Sequence, residues 1–275
     1  MIELRNLLVQ AAMAGYSDGR FCGRMADLGM GMVTLGGYNA DSESYRGGVE
    51  AKRRRREFTV RPDQIPRYLE GEVARIGDTD SAICVNLRFS DPEALAGPIQ
   101  ALSGIVDVVE LDAHCRQPEL TRRGAGEALL DRVEALCRAV RICSRQLPTV
   151  VKVRAFNYDM QLSRGLLEAG AACLHLDLMK PGFPTADLDL LTEIASEIDL
   201  CIIGNNSVRG PSSFVEMLDS GAQMASMARP LIEGTRAAEE ILRSEWCFRA
   251  MARASDGLPP GFTLSRQGYG PPRRI

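Results

Sequence analysis

Within four positions the chain places a carboxylate, an imidazole and a thiol: Asp112, His114 and Cys115, in the stretch VELDAHCRQPELTRRGAGEALL. A thiol beside Arg116, Arg122 and Arg123 can be stabilised as a thiolate or positioned as an acid, and His114 can carry a proton next to it. Lys152 is a second signal, because it is flanked by Val150, Val151 and Val153. An ammonium in so apolar a run is costly unless it is paired, here with Asp112 or Glu110, or touches a ligand. A third signal is a pair of turns, Gly204-Asn205-Asn206 and Ala228-Arg229. Each follows an apolar run and precedes a helical pattern, where backbone N–H groups face an anion. The two histidines and isolated carboxylates form no ligand cluster, so no metal site is expected.

These residues need elements to bring them together. Short apolar runs rich in β-branched residues read as buried strands at 7–12, 32–35, 81–87, 106–111, 149–153, 173–176, 200–203 and 224–227. Helical patterns fall between and after them: 20–28 with Asp18 as cap, 64–76, one begun by Asp91-Pro92, 128–145, 159–169, 189–197, 212–220 and 235–244. Eight alternations with mostly short connections specify an α/β chain of the closed (β/α)8 TIM-barrel class. A doubly wound open sheet is the competing architecture, but no GxGxxG follows the first strand. In a barrel the C-terminal strand ends share one face. That face would gather Met13, Ala14, Asn86, Asp112, Cys115, Lys152, His175 or Asp177, Asn205 and Arg229. The two turns after the last strands occupy the usual phosphate position of such barrels. With Lys152 they point to a phosphorylated cofactor such as FMN.

Residues 36–62 read as a long irregular segment containing five consecutive cations, Lys52 to Arg56, either a solvated run or a phosphate-contacting loop. The net charge of −3 excludes a strongly basic protein without excluding nucleic acid, since local patches decide phosphate contacts. No apolar run approaches the roughly 18 residues that span a bilayer, so no membrane partner is expected. The N-terminus shows no cleavage signal. Eight cysteines lack CxxC spacing, and the seven other than Cys115 read as buried reduced thiols of a cytoplasmic protein. The barrel is expected over residues 1–245. Residues 246–275 form a C-terminal extension, irregular from about residue 256.

Six segments in order resemble the tRNA-dihydrouridine synthase family over residues 8–234. AAMAGYSDGRF resembles its opening APMAGVTDRPF, and CVNLRFSDPEALA its VQLxGxDPexlA. The central stretch resembles the signature DxNxGCPxxKxxxxGxGaxLL. TVVKVR matches the lysine strand, and IIGNNSV and MASMARPL resemble IGNGDI and MIGRGAL. The resemblance implies an FMN-binding TIM barrel that reduces the C5–C6 bond of uridine in tRNA, with NADPH or NADH as hydride donor. It places Cys115 on the acid that protonates C5 and Lys152 on the lysine at flavin and substrate. Asn86 stands where the family has a flavin-binding Gln. Gly204, Asn205, Ala228 and Arg229 fall in the phosphate turns, and Met13 and Ala14 in the first flavin-facing turn.

The departures are specific. Asp112 replaces an Asn, and His114 and Arg116 replace the Gly and Pro around the cysteine, all three at the expected substrate site. The HGRT motif is missing: Asp177 stands at its histidine and His175 two residues earlier, both expected near the cofactor. No helical tRNA-binding domain is expected in the extension. Three functions follow: a tRNA-dihydrouridine synthase, a flavin oxidoreductase for a small pyrimidine-like molecule, as in the dihydroorotate dehydrogenases, or a non-catalytic flavin- or RNA-binding barrel.

Overall fold

A short strand, β1 (Ile2–Leu4), precedes eight parallel strands that close into a barrel. These are β2 (Leu8–Gln10), β3 (Met32–Asn39), β4 (Ala82–Arg88), β5 (Val108–Asp112), β6 (Thr149–Arg154), β7 (Cys173–Asp177), β8 (Cys201–Asn205) and β9 (Met224–Met227), each paired with the next and β9 with β2. This computed structural model describes residues 1–265 apart from Tyr158 and Pro181. The architecture is the expected α/β (β/α)8 barrel. Its strands read as near-continuous apolar runs because both faces are buried, one in the lumen and one under the helices.

Local signals start the helices. Asp18 accepts from the Phe21 N–H at 2.8 Å to begin Gly19–Leu28, and Gly29 ends that helix at a φ of 97°. Asp159, Asp187 and Ser244 cap Met160–Glu168, Leu188–Glu197 and Glu245–Ala254 in the same way.

Two stretches differ from expectation. Residues 36–62 are irregular chiefly at 52–61: β3 continues through Gly36 and Gly37 to Asn39, and a helix follows at Ser42–Ala51. Its glycines hid it. A Cβ at Gly48 would lie 2.3 Å from Asn39 Nδ2, and one at Gly47 2.6 Å from the Glu119 carbonyl, so close packing needs residues of poor helix propensity. An Asp41–Ser44 capping box offsets that weakness. Beyond the barrel, Glu245–Ala254 is helical, with Cys247, Ala250 and Met251 in the core. Strand β10 (Phe262–Leu264) then pairs in parallel with β1 where an irregular tail was expected. The rest of that tail, 266–275, lies outside the described residues.

Candidate functional site

The C-terminal strand ends open into two contiguous cavities of about 720 and 370 Å³, within the size range of ligand sites. Ala12, His114, Arg116, Lys152 and Arg229 belong to both and form the waist between them. Asp177, Asn205 and Ala228 line the larger cavity; Met13, Ala14, Asn86, Asp112 and Cys115 line the smaller. A groove of about 730 Å³ lies at the opposite end, among the loops that enter β6 to β8, remote from Cys115 and Lys152.

Two expected cofactor residues are not in these walls. Gly204 is a packing residue: a Cβ there would meet Met217 Sδ at 2.4 Å, on the helix side of β8. His175 is buried in the lumen beneath the cleft. It engages Glu110 through Nδ1 and lies 2.7 Å from Ser226 Oγ through Nε2.

At the end of β5, Asp112 Oδ1 accepts from the backbone N–H groups of His114 and Cys115, both at 2.9 Å. This turn aims the cysteine loop, and the Glu127 N–H holds the Cys115 carbonyl at 2.9 Å. Burial, helped by the Asp112 carboxylate, pushes the Cys115 thiol up, while Arg88 pulls the other way. The sulfur therefore keeps its proton at neutral pH, as a proton donor requires and a thiolate nucleophile does not. Arg122 and Arg123 do not serve it; they pair with Glu50 and Glu43 at 3.2–3.3 Å. Cys115 is the half-buried cysteine and the other seven are buried. One thiol should react with iodoacetamide in the native protein, slowly, and peptide mass spectrometry should find it at Cys115.

His114 Nε2 lies 2.8 Å from Asp177 Oδ2 across the cleft. Burial pushes the Asp177 carboxyl up, but His114, the Met179 N–H and the Asn206 amide together hold it well below its ordinary range. Asn206 and Ser207 follow with φ of 93° and 58°. Two consecutive non-glycine residues in the left-handed region store strain of the kind found at ligand sites. The side chains of Arg209 and Arg229, exposed on the larger cavity, have no carboxylate partner among the described residues. Neither has Lys152, so the expected pairing with Asp112 or Glu110 is not made at ion-pair distance.

Two arginines escaped the sequence reading. Arg88, two positions beyond Asn86 on β4, lines the smaller cavity. Arg154, two positions beyond Lys152 on β6, lines neither cavity; it is 6% exposed, with Nη1 3.7 Å from Glu127 and with Nε and Nη2 without a partner among the described residues. The period-two alternation of a strand, which puts it on the same face as Lys152, was the available signal. The cation run was read too simply. Arg54 binds Glu119 and Gln117, Arg55 lies 3.1 Å from Glu57, Lys52 reaches Thr59, and Arg56 stacks on Tyr16.

Beneath the cleft, burial pushes the Glu110 carboxyl up, but His175, Lys152 and Asn86 outweigh it and bring it to about 2 from an ordinary 4.5. A depressed carboxylate stabilises the fold above its unfolded pKa and loses that contribution as pH falls from about 4.5 towards 2. Urea unfolding should show Glu110→Gln less stable than wild type at pH 7, with the gap narrowing by pH 3.

A relative from Methanocaldococcus jannaschii, "Uncharacterized protein MJ0144", is 31% identical over 246 residues, spanning 84% of this chain and 92% of the archaeal one. The chain belongs to that protein's family. No family model matches the MJ0144-family chain. Its fold is shared with dihydroorotate dehydrogenase (DHODH) from Eimeria tenella, solved in complex with ferulenol, at a TM-score of 0.63 and 12% identity, over 92% of this chain and 84% of that one. The tryptophan synthase complex from Pyrococcus furiosus gives 0.57 and 13%, over 93% and 98%. FabK from Thermotoga maritima gives 0.55 and 12%, over 84% of this chain and 60% of that one. At such identities the likeness is one of fold. Among the described residues no helix is long and apolar enough to cross a membrane, and no group of three His, Cys, Asp or Glu residues can hold a metal ion.

Proposed function

We propose that this barrel is an FMN-dependent oxidoreductase that reduces the C5–C6 bond of uridine in tRNA, in the cytoplasm, with NADPH or NADH as the electron source. One observation carries the reading. Cys115 and Lys152 line one cavity, which opens at Lys152 into a second bounded by the left-handed Asn206-Ser207 turn, Arg209 and Arg229. The residues present fit the cofactor. The turn and the two arginines suit a phosphate, the small Ala12 and Ala14 admit a planar ring, and Lys152 offers N–H donors with no partner among the described residues.

Bound there, the flavin would supply the hydride that reaches C6 of the uracil ring. Cys115 then gives its proton to C5, and solvent reprotonates the sulfur. Lys152 offers its N–H groups to ring oxygens. Asp177 holds His114 against the same cleft, where its imidazole can meet the polar edge of the ring. Exposed Arg53 and Arg116 present cations to a polynucleotide.

The test is nucleoside mass spectrometry of tRNA from a strain lacking the gene. Dihydrouridine should fall at one or more positions and return with the wild-type gene but not with Cys115→Ala. Unchanged dihydrouridine rejects tRNA as the substrate. A free pyrimidine-like substrate is the second reading. It is favoured by the internal pairing of the cation run, which leaves Arg53 as its one cation without a partner among the described residues. NADPH or NADH consumption driven by a free pyrimidine would select it.

A further inference from the structure

Lys152 is 6% exposed, lines both cavities and makes no hydrogen bond or ion pair with any described residue. A desolvated ammonium without a hydrogen-bond partner is costly unless a counter-charge or a ligand faces it. Two carboxylates of the adjacent strand β5 face the lumen with it, Glu110 and Asp112, and neither closes onto it.

The reason is visible in their partners. Asp112 Oδ1 is held by the N–H groups of His114 and Cys115. Glu110 is held at both oxygens, Oε1 by the Asn86 amide at 2.7 Å and Oε2 by His175 Nδ1. The imidazole is fixed in turn. Asn205 Nδ2 donates to Ser226 Oγ at 2.6 Å; that oxygen lies 2.7 Å from His175 Nε2 and 3.4 Å from the Gly204 carbonyl, the two groups its one hydroxyl proton can serve, and the contact to Nε2 is the shorter. His175 Nε2 thereby accepts and Nδ1–H donates, which makes His175 a neutral bridge. Burial and the neighbouring Lys152 push the His175 pKa down, in the same sense.

We propose that Glu110 is a counter-ion acting on Lys152 at a distance, and that His175 is the clamp preventing their collapse into an ion pair. The three N–H groups of the lysine are then left free for the ligand. His175 and Glu110 are positioning residues, acting through Lys152. The inference rests on the reading that a ligand meets Lys152 in the cleft, but not on which ring that ligand carries. The other ionisable groups around the lysine are Asp112, His114, Cys115 and Arg116 from the β5 loop, Cys84 and Arg88 from β4, Asp177 at the end of β7 and Arg229 after β9.

The experiment uses the full chain without flavin. The sequence holds three lysines, so Lys52 and Lys180 serve as internal standards in one digest. Limiting acetic anhydride at pH 8, followed by peptide mass spectrometry, gives the acetylation of Lys152 relative to them. Glu110→Gln removes the field, and Lys152 should react several-fold faster than in wild type. His175→Leu frees Glu110 to pair with the lysine, and Lys152 should react several-fold slower. His175→Gln keeps a donor to Glu110 and should stay near wild type. General loosening would raise the rate in every variant, so opposite signs distinguish the clamp from a structural defect. A rate in Glu110→Gln that is unchanged or lower overturns the proposal. Should that variant not fold, equal rates in the Leu and Gln variants at 175 overturn it. FMN titration of the wild type by fluorescence quenching separates the two readings. No FMN binding with the acetylation pattern intact rejects the cofactor alone, and FMN binding without the pattern rejects the clamp alone.

Discussion

Alanine at Cys115 should lower turnover of a uracil-containing substrate by about 10²–10⁴-fold, the contribution of a positioned proton donor, with FMN binding unchanged. The loop should survive the substitution. Its geometry depends on Asp112 Oδ1 receiving two backbone N–H groups and on the Glu127 N–H at the Cys115 carbonyl, not on the sulfur. The phosphate end should survive too, because Cys115 lines only the smaller cavity. Burial and Asp112 raise the thiol, and the protonated form is the active one, so activity should hold through neutrality and fall on the alkaline side. Asp112→Asn keeps an oxygen acceptor for the turn but removes the charge, which should move the alkaline limb to lower pH. A limb that stays in place, or turnover that persists in Cys115→Ala, would place the proton donor elsewhere, with His114 the next group to test.

The barrel was legible because its strands are buried on both faces. An apolar run such as TVVKV or CIIG needs no partner information to declare itself, and Met224–Met227 falls where expected. Cys115, Lys152 and the turns after β8 and β9 were legible for a related reason: chain order fixes which strand end each occupies. What stayed hidden depends on which way a residue faces and what it meets. Gly204 looked like part of a phosphate turn, yet the atoms it must clear belong to Met217. His175 looked like a cleft histidine, but its strand turns it into the lumen towards Glu110 and Ser226. His114 was expected at the substrate site, but only the closed barrel brings it to Asp177, 63 positions away. The helix Ser42–Ala51 was missed because its evidence lies in packing, where glycine is needed for contact rather than for chain reversal.

The same limit hid Arg88, which ends β4 and was passed over beside Asn86. Arg88 and Glu57 are 1% and 0% exposed, joined at 2.6 Å from Nη2 and 3.3 Å from Nη1. Arg88 Nη2 also donates to the Gly37 carbonyl at 2.7 Å, and Arg88 and Gly37 both line the smaller cavity, so this ion pair is built into the cleft wall. Removing one member of a buried pair leaves the other charged, desolvated and poorly compensated. Arg88→Met should cost about 3–5 kcal/mol in urea unfolding. Arg55, 3.1 Å from Glu57 but only partly buried, offsets a small part of that. Removing both charges should restore most of the loss, so Arg88→Met with Glu57→Leu should be more stable than Arg88→Met alone. The chemistry should respond as well. Arg88 holds the Cys115 thiol down, so in Arg88→Met the sulfur should alkylate more slowly at a given pH. A stability loss below about 1 kcal/mol, the range of solvent-exposed pairs, would mean that water reaches Glu57. The wall behind Cys115 would then be wet, and the argument that burial keeps its thiol protonated would fail with it.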